Sequence, residues 1–255
     1  MKTVVISAND NDEYLFFVPI VSWAWRSLGW NVHCCFTGDK ESDKFKFVKE
    51  NSKDVVFSYP ENIEGVRNET LTQLSRLYAY KNIESGYIMT SDVDMLPLSD
   101  YWKFDISKIT AWGRDLSDVH YPICYVGAEK YLWNNIMCGG DMLSDLQTSK
   151  YASDKWSEWW QIDQDILTEK LNKQNVTRID RGIAPNTHYP LGRIDRGSWD
   201  KTKDQSLRID AHLLRPGYTN ENWIKIIHLI DECFNVDADV LIKINKYKNQ
   251  YLTFL

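Results

Sequence analysis

The chain has 255 residues, 43% of them hydrophobic and 26% charged, enough for one large domain or two small ones around a sizeable core. Its net charge of -6 argues against a general electrostatic nucleic-acid binder, which needs a basic surface. The five cysteines (Cys34, Cys35, Cys124, Cys138, Cys233) are odd in number and form no Cys-x-x-Cys, which excludes a disulfide framework and points to reduced thiols in a cytosolic protein.

Taken in order, Thr3–Ser7 is expected as a buried strand that stops at the polar loop Ala8–Asp12. The same polar run breaks the first apolar stretch, so no signal peptide is expected. Tyr14–Leu28 is expected as a helix ended by Gly29, with Pro19 either kinking it or delaying its start. It is too short and mixed to span a bilayer. Strand Asn31–Phe36, a lysine-rich helix over Ser42–Asn51 and strand Asp54–Phe57 follow. Thr70–Ile83 is expected as a helix with Leu71, Leu74, Leu77 and Tyr78 on one face. The second half is less regular: strands at Thr110–Trp112 and Tyr121–Val126, a helix over Glu129–Leu146 interrupted near Gly139-Gly140, and a helix from Gln161 to about Leu171. Arg178–Gly217 reads as a basic loop region, with Arg178, Arg181, Arg193, Arg196, Arg208, Arg215, His188 and His212. It is either an anion-binding surface or a solvated loop. Trp223–Asp231 and Val236–Leu252 close the chain as helices, with His228 expected on a buried apolar face. Strands alternating with helices predict an α/β fold with a mostly parallel sheet sandwiched by helices. We read one domain, 1–255, with a ligand-binding half at 1–100 and a second half at 101–255.

Chemistry concentrates at Gly86–Ser99, GYIMTSDVDMLPLS. On an extended chain Asp92 and Asp94 point the same way and Val93 points back into the protein. Adjacent carboxylates repel unless a cation or a proton lies between them. Mg²⁺ takes one or two such carboxylates plus substrate phosphates. The plainer role is a turn in which the carboxylates cap backbone groups. In parallel sheets ligands bind beyond the carboxyl ends of strands, so the loops Asn9–Asp12 and Asp92–Asp94 are expected on one sheet edge.

The order of these motifs resembles the metal-dependent glycosyltransferases of the GT-A fold, and is most similar to the bacterial retaining galactosyltransferase type within the glycogenin-like family. Val4–Asn11 resembles the first strand and nucleoside loop, Ser75-Arg76-Leu77 the helix whose Arg approaches the nucleotide-sugar, Ile88–Leu98 the Asp-x-Asp strand, and Asp163-Gln164-Asp165-Ile166-Leu167 the sugar-lining segment. Thr168 stands where that family commonly has Asn, and its late His-x-x-Gly-x-x-Lys is replaced by His212-Leu213-Leu214-Arg215-Pro216-Gly217. The resemblance implies a Rossmann-type GT-A sheet with a smaller acceptor-side lobe, and transfer from a nucleoside-diphosphate sugar, of UDP type, to a glycan acceptor. It implies Mn²⁺ or Mg²⁺ on Asp92, Asp94 and His212. It places Ala8, Asn9, Asp10, Asn11, Arg76, Asp92, Val93 and Arg215 at the nucleotide-sugar and Asp163, Gln164 and Asp165 at the reacting centre.

Residue chemistry sharpens some of these roles. Asp163 and Asp165, two apart on a helix, diverge by roughly 200°, so one of them is expected to face the sugar; the resemblance implies that it is Asp163, with Gln164 beside it. If configuration is retained, Asp163 and Gln164 steady an oxocarbenium-like centre; if it is inverted, Asp163 or Asp165 is the base on the acceptor hydroxyl. Helix capping is the other role open to Asp163. Trp156, Trp159 and Trp160 share a helical face, for core packing or a sugar platform. A sugar-1-phosphate nucleotidyltransferase is the rival enzyme, although Ser7–Asp12 lacks the glycines of a phosphate loop. A non-catalytic carbohydrate-binding protein is the rival outside catalysis. The C-terminal helix, with Lys243, Lys246 and Lys248, packs on the body or rests on an anionic membrane surface; an integral membrane protein is not expected.

Overall fold

The alternation of side chains in β1 (Lys2–Ala8) sets the two faces of the molecule. Val4, Ile6 and Ala8 belong to one buried cluster and Val5 to a second. This computed structural model describes residues 1–102, 104–117, 119–148, 161–181, 188–197, 199 and 204–255. β2 (Asn31–Phe36) splits in the same way, with Val32, Cys34 and Phe36 on one face and Cys35 on the other. With β3 (Val55–Ser58), β4 (Tyr87–Thr90), β6 (Ile109–Trp112), β7 (Val126–Glu129) and β8 (Val176–Ile179) they form one sheet, in the order β3-β2-β1-β4-β7-β6-β8. Every pairing is parallel except those of β7, which runs against both β4 and β6. β5 (Met95–Pro97) and β9 (Asp210–His212) make a separate antiparallel ribbon.

Helices cover both faces. The first cluster takes side chains from α2 (Val18–Ser27), α3 (Asp43–Asn51), α8 (Asn220–Phe234) and α9 (Ala238–Tyr251). The second takes them from α4 (Asn68–Tyr78), α5 (Lys130–Met137), α6 (Met142–Thr148) and α7 (Ile162–Leu171). The expected mostly parallel α/β sandwich is therefore the observed one. Leu74 and Leu77 are fully buried, as their helical spacing predicts.

Several boundaries differ from expectation for local reasons. The single helix expected over Tyr14–Leu28 is two: α1 (Asp12–Leu15), capped by the Asn11 side chain on Glu13 N, and α2, where Pro19 lies in the first turn. Pro19 thus starts a helix, because the first turn needs no N–H donor there. Tyr121–Val126 is not a strand; Ile123–Tyr125 forms a 3₁₀ turn and pairing begins at Val126. Thr90 Oγ1 donates to Ile123 O (2.6 Å) and accepts from Val126 N (3.1 Å), which fixes that turn. His228 is not buried: its side chain is exposed and lies 3.4 Å from Glu232. Trp156, Trp159 and Trp160 lie outside the described residues. The C-terminal helix packs on the body, with Tyr247 OH on Phe16 O (2.9 Å) and Tyr251 OH on Asp12 (2.8 Å). No helix among the described residues is long and apolar enough to cross a membrane.

His33 lies buried on β2 with Nε2 2.8 Å from Ser58 Oγ, and burial lowers its pKa to about 4. The unfolded chain takes up that proton near pH 6.5 and the folded one only near pH 4, so stability is present above pH 6.5 and falls as the pH drops through this window. Urea unfolding at pH 7 and pH 4.5 is expected to show a loss of up to about 3 kcal/mol from this group. His33→Gln is expected to flatten the slope, and an unchanged slope would assign the acid limb to other groups.

Candidate active site

The end of β4 builds the site. Ser91 N donates to Val5 O (2.8 Å), tying the chain to β1 before it turns at Asp92–Asp94 into β5. The acidic triplet is therefore a turn, not extended strand. Val93 is buried in the core cluster, as expected, and Asp94 is only 4% exposed, whereas Asp92 is partly open. The ribbon then sets the distant partner. Met95 pairs with His212, and Leu213 N donates to Asp94 O (2.8 Å), so β9 delivers the His212 ring beside the Asp94 carboxylate.

One cleft of about 410 Å³ receives these groups. Ala8, Asn9 and Asn11 line it from the loop after β1, Arg76 from α4, Asp92, Val93 and Asp94 from the acidic turn, Asp163 and Gln164 from the start of α7, and His212 and Arg215 from β9 and beyond. Asp10 and Asp165 are not among its walls. Asp10 turns away to cap the loop after β2, accepting from Asp39 N at 2.8 Å. That loop passes so close that a Cβ on Gly38 would sit 2.5 Å from the Asp10 carboxylate. Asp165 is buried on the other side of α7, 3.5 Å from His120 Nδ1. Among the described residues of the basic stretch, Arg196, Arg215 and His212 reach the cleft; Arg181 is buried beside Asp210 (3.5 Å) and Arg178 stacks on Tyr121.

Two charge networks organise the cleft. Arg76, 6% exposed, bridges Asp92 and Asp163, the latter at 2.9 Å. Asp163, in the first turn of α7, also accepts from Gln164 N through its other oxygen (2.8 Å), so it satisfies a first-turn N–H and holds Arg76 at once. Burial pushes the Asp163 pKa upward against the pull of Arg76. In the second network Asp94 Oδ2 meets Arg196 Nη2, His212 Nε2 (3.5 Å) and Arg215 Nε (3.6 Å). Burial alone would raise the Asp94 pKa, but His212, Arg196 and Arg215 outweigh it and hold it below the usual carboxylate value. The Arg215 guanidinium stacks on Tyr14, 4.6 Å from the ring centroid, and its Nε has no hydrogen-bond partner.

Ser7, Tyr14, Glu69, Thr72, Gln73, Ile123, Gln161 and Arg196 complete the walls and were not singled out as site residues from sequence. Only Arg196 carried a signal, its place in the basic stretch. At the mouth, Asn9 Nδ2 donates to Asn68 Oδ1 (2.9 Å), and Asn68 in turn donates to Thr37 O (2.6 Å), holding the loop after β1 against α4.

His212 Nε2 and Asp94 Oδ2 are close enough to share one divalent ion with bonds of about 2.1 Å. Among the described residues no three His, Cys, Asp or Glu side chains form a metal-binding group. One carboxylate and one imidazole are donors that Mn²⁺ accepts, and the pair would leave positions for phosphate oxygens. Arg196 sits on the same Asp94 oxygen and competes with such an ion.

A mostly parallel sheet between helices, with an acidic turn and a polar first loop at its carboxyl edge, defines the GT-A fold, and this chain has it. The structure is similar to that of the galactosyltransferase LgtC in complex with donor and acceptor sugar analogues, at 16% sequence identity and a TM-score of 0.50, covering 94% of this chain and 99% of that one. An LgtC active-site mutant with Glu in place of Gln gives 14% identity and a TM-score of 0.52 over the same shares. The sequence matches no protein-family model and no curated protein.

Proposed function

We propose that this protein is a metal-dependent glycosyltransferase that moves a hexose or pentose from a nucleoside-diphosphate sugar, UDP favoured, to a hydroxyl of a glycan or glycoconjugate, in the cytoplasm. One observation carries the reading. The acidic turn, the loop after β1, Arg76, the start of α7 and His212, far apart in sequence, line a single cleft at the carboxyl edge of the sheet, on a fold like that of a galactosyltransferase.

In such a transfer the bond between the anomeric carbon and the diphosphate oxygen breaks, and its electron pair stays with the leaving nucleoside diphosphate. The acceptor oxygen bonds to that carbon and loses its proton. Positioned cations stabilise the charge that builds on the leaving group. Arg215 and Arg196 line the cleft and would meet diphosphate oxygens there. Asp94 and His212, with Asp92 nearby, would hold Mn²⁺ or Mg²⁺, which supplies Lewis acidity when bound. Asn9 and Asn11 offer hydrogen bonds to base and ribose. Asp163 and Gln164 lie against the sugar, with Arg76 fixing the Asp163 carboxylate. Asp10 and Asp165 are assigned indirect parts: Asp10 shapes the first loop and Asp165 braces α7 through His120.

The test is thermal unfolding with UDP-, GDP- and TDP-sugars, each with and without Mn²⁺. A matched donor at about 100 times its Kd adds about 2.7 kcal/mol of stability. Stabilisation by one base class, dependent on Mn²⁺, is expected; none by any donor would sink the proposal. A second expectation concerns Arg196. Because it occupies the oxygen an ion needs, Arg196→Gln is expected to bind Mn²⁺ alone several-fold more tightly in calorimetry, and to bind the donor more weakly. Unchanged Mn²⁺ affinity would show that the two cations do not compete.

A further inference from the structure

We infer that Asp12 is a positioning residue for the donor, and that α3 and the C-terminal helix α9 hold the nucleoside loop through its carboxylate. The inference rests on the donor reading above and adds to it residues that stand outside the cleft.

α1 serves both ends of the donor in that reading. Its N-cap Asn11 lines the cleft, and Tyr14 lines it too while stacking on the Arg215 guanidinium. Yet α1 is one turn of four residues. A single turn fixes several dihedral angles for very few hydrogen bonds and does not hold by itself. Its place must come from tertiary contacts, and these act at its two ends.

Just past its C-terminal end the buried Phe16 ring meets Tyr218, Trp223, Tyr247 and Tyr251, with ring centroids 5.1 to 5.6 Å away. Apolar packing of this kind anchors the turn but is not directional. Asp12, at the other end, supplies the directional bonds. Its Oδ1 accepts from Lys44 Nζ on α3 (2.7 Å) and from Tyr251 OH on α9 (2.8 Å). Lys44 Nζ also donates to Asp10 O (3.3 Å), so one ammonium grips the loop at two points. Tyr251 is fully buried and the Lys44 side chain is 21% exposed, so these charge-assisted bonds are largely sheltered from water.

Asp12 does not line the cleft, but its neighbours do. Asn11 N donates to Asn9 Oδ1 (3.1 Å), and the Asn11 side chain accepts from Glu13 N (3.0 Å). A displacement of Asp12 is therefore passed to both asparagines. A loop fixed before the ligand arrives loses less freedom on binding, so the bonds to Asp12 raise donor affinity without touching the donor.

The experiment is calorimetry of the full chain with UDP, GDP and TDP, each with Mn²⁺, beside hydrogen exchange of the free protein at the Tyr14, Leu15 and Phe16 amides, whose bonds close α1. Tyr251→Phe keeps the ring and removes the hydroxyl. It is expected to speed exchange at these amides and to weaken the bound nucleotide at least about five-fold. Lys44→Met is expected to do the same, and Lys44→Arg to restore the affinity. Lys248→Met, which instead cuts the bond from α9 to Asn220 on α8 (2.7 Å), is expected to leave affinity unchanged. The inference is overturned by unchanged affinity in Tyr251→Phe or Lys44→Met, by no rescue in Lys44→Arg, or by an equal loss in Lys248→Met, which would make the effect one of general packing. A wild type that binds none of the three nucleotides ends the donor reading and this inference with it; a wild type that binds, with variants equal to it, ends this inference alone.

Discussion

Asp94→Ala is expected to abolish Mn²⁺-dependent binding of a nucleoside-diphosphate sugar, with a loss of at least about 100-fold in affinity, or about 2.7 kcal/mol. The sign of the change is what makes the experiment informative. Asp94 is buried and holds Arg196, His212 and Arg215 through one oxygen. Removing its carboxylate adds one net positive charge to the cleft and frees two guanidinium groups. If those arginines alone neutralise the diphosphate, the variant binds the donor more tightly and needs no metal. If Asp94 holds the ion, the variant binds more weakly despite the extra positive charge. Calorimetry with and without Mn²⁺ separates the two outcomes, and tighter metal-free binding would end the metal assignment. Stability must be measured alongside, since removing one member of a buried ion pair can cost about 3–5 kcal/mol. Arg196 and Arg215 are 30% and 23% exposed, so water shares their charge and the cost here is expected below that range.

Asp163→Asn is expected to lower turnover by about 100-fold or more while donor affinity stays within a few-fold. The asparagine oxygen keeps one of the two bonds Asp163 now makes, to Gln164 N or to Arg76, so the helix start survives. What disappears is the negative charge facing the cleft. The control is Asp165→Asn, two residues on. Asp165 points to His120 and does not line the cleft. Its loss is expected to reduce stability with little effect on turnover. Steady-state kinetics on the pair decide the matter: equal turnover in wild type and Asp163→Asn would leave Asp163 as a cap, and a larger loss in Asp165→Asn would move the chemistry to the His120 side of α7.

Much of the site lay open in sequence because it sits at the ends of regular elements. Runs such as TVVIS and NVHCCF alternate or saturate with apolar residues, and that pattern reports burial directly. The polar groups that interrupt such runs, Asn9, Asn11, Asp92 and Asp94, are therefore placed at strand ends without knowledge of any partner. The helical spacing of Leu74 and Leu77 likewise foretold the buried face of α4, and Arg76 between them follows that helix to the cleft wall.

What sequence alone determined, then, is the order of strands and helices as far as β4, the sheet edge carrying the polar loops, and the charge balance that argues against a nucleic-acid surface. These follow from local periodicity and composition, which each segment carries by itself. Tertiary structure decided the rest. β9 is three residues long and has no readable period; it exists because Met95–Pro97 supplies its hydrogen bonds. Arg196 reaches Asp94 across 102 positions, and no local pattern encodes an ion pair at that separation. Asp10 faces away because Gly38 and Asp39 approach it from a different strand. Side-chain chemistry can be read from sequence, but which groups share a cleft depends on contacts between distant segments, and those are set when the two hydrophobic clusters close on the sheet.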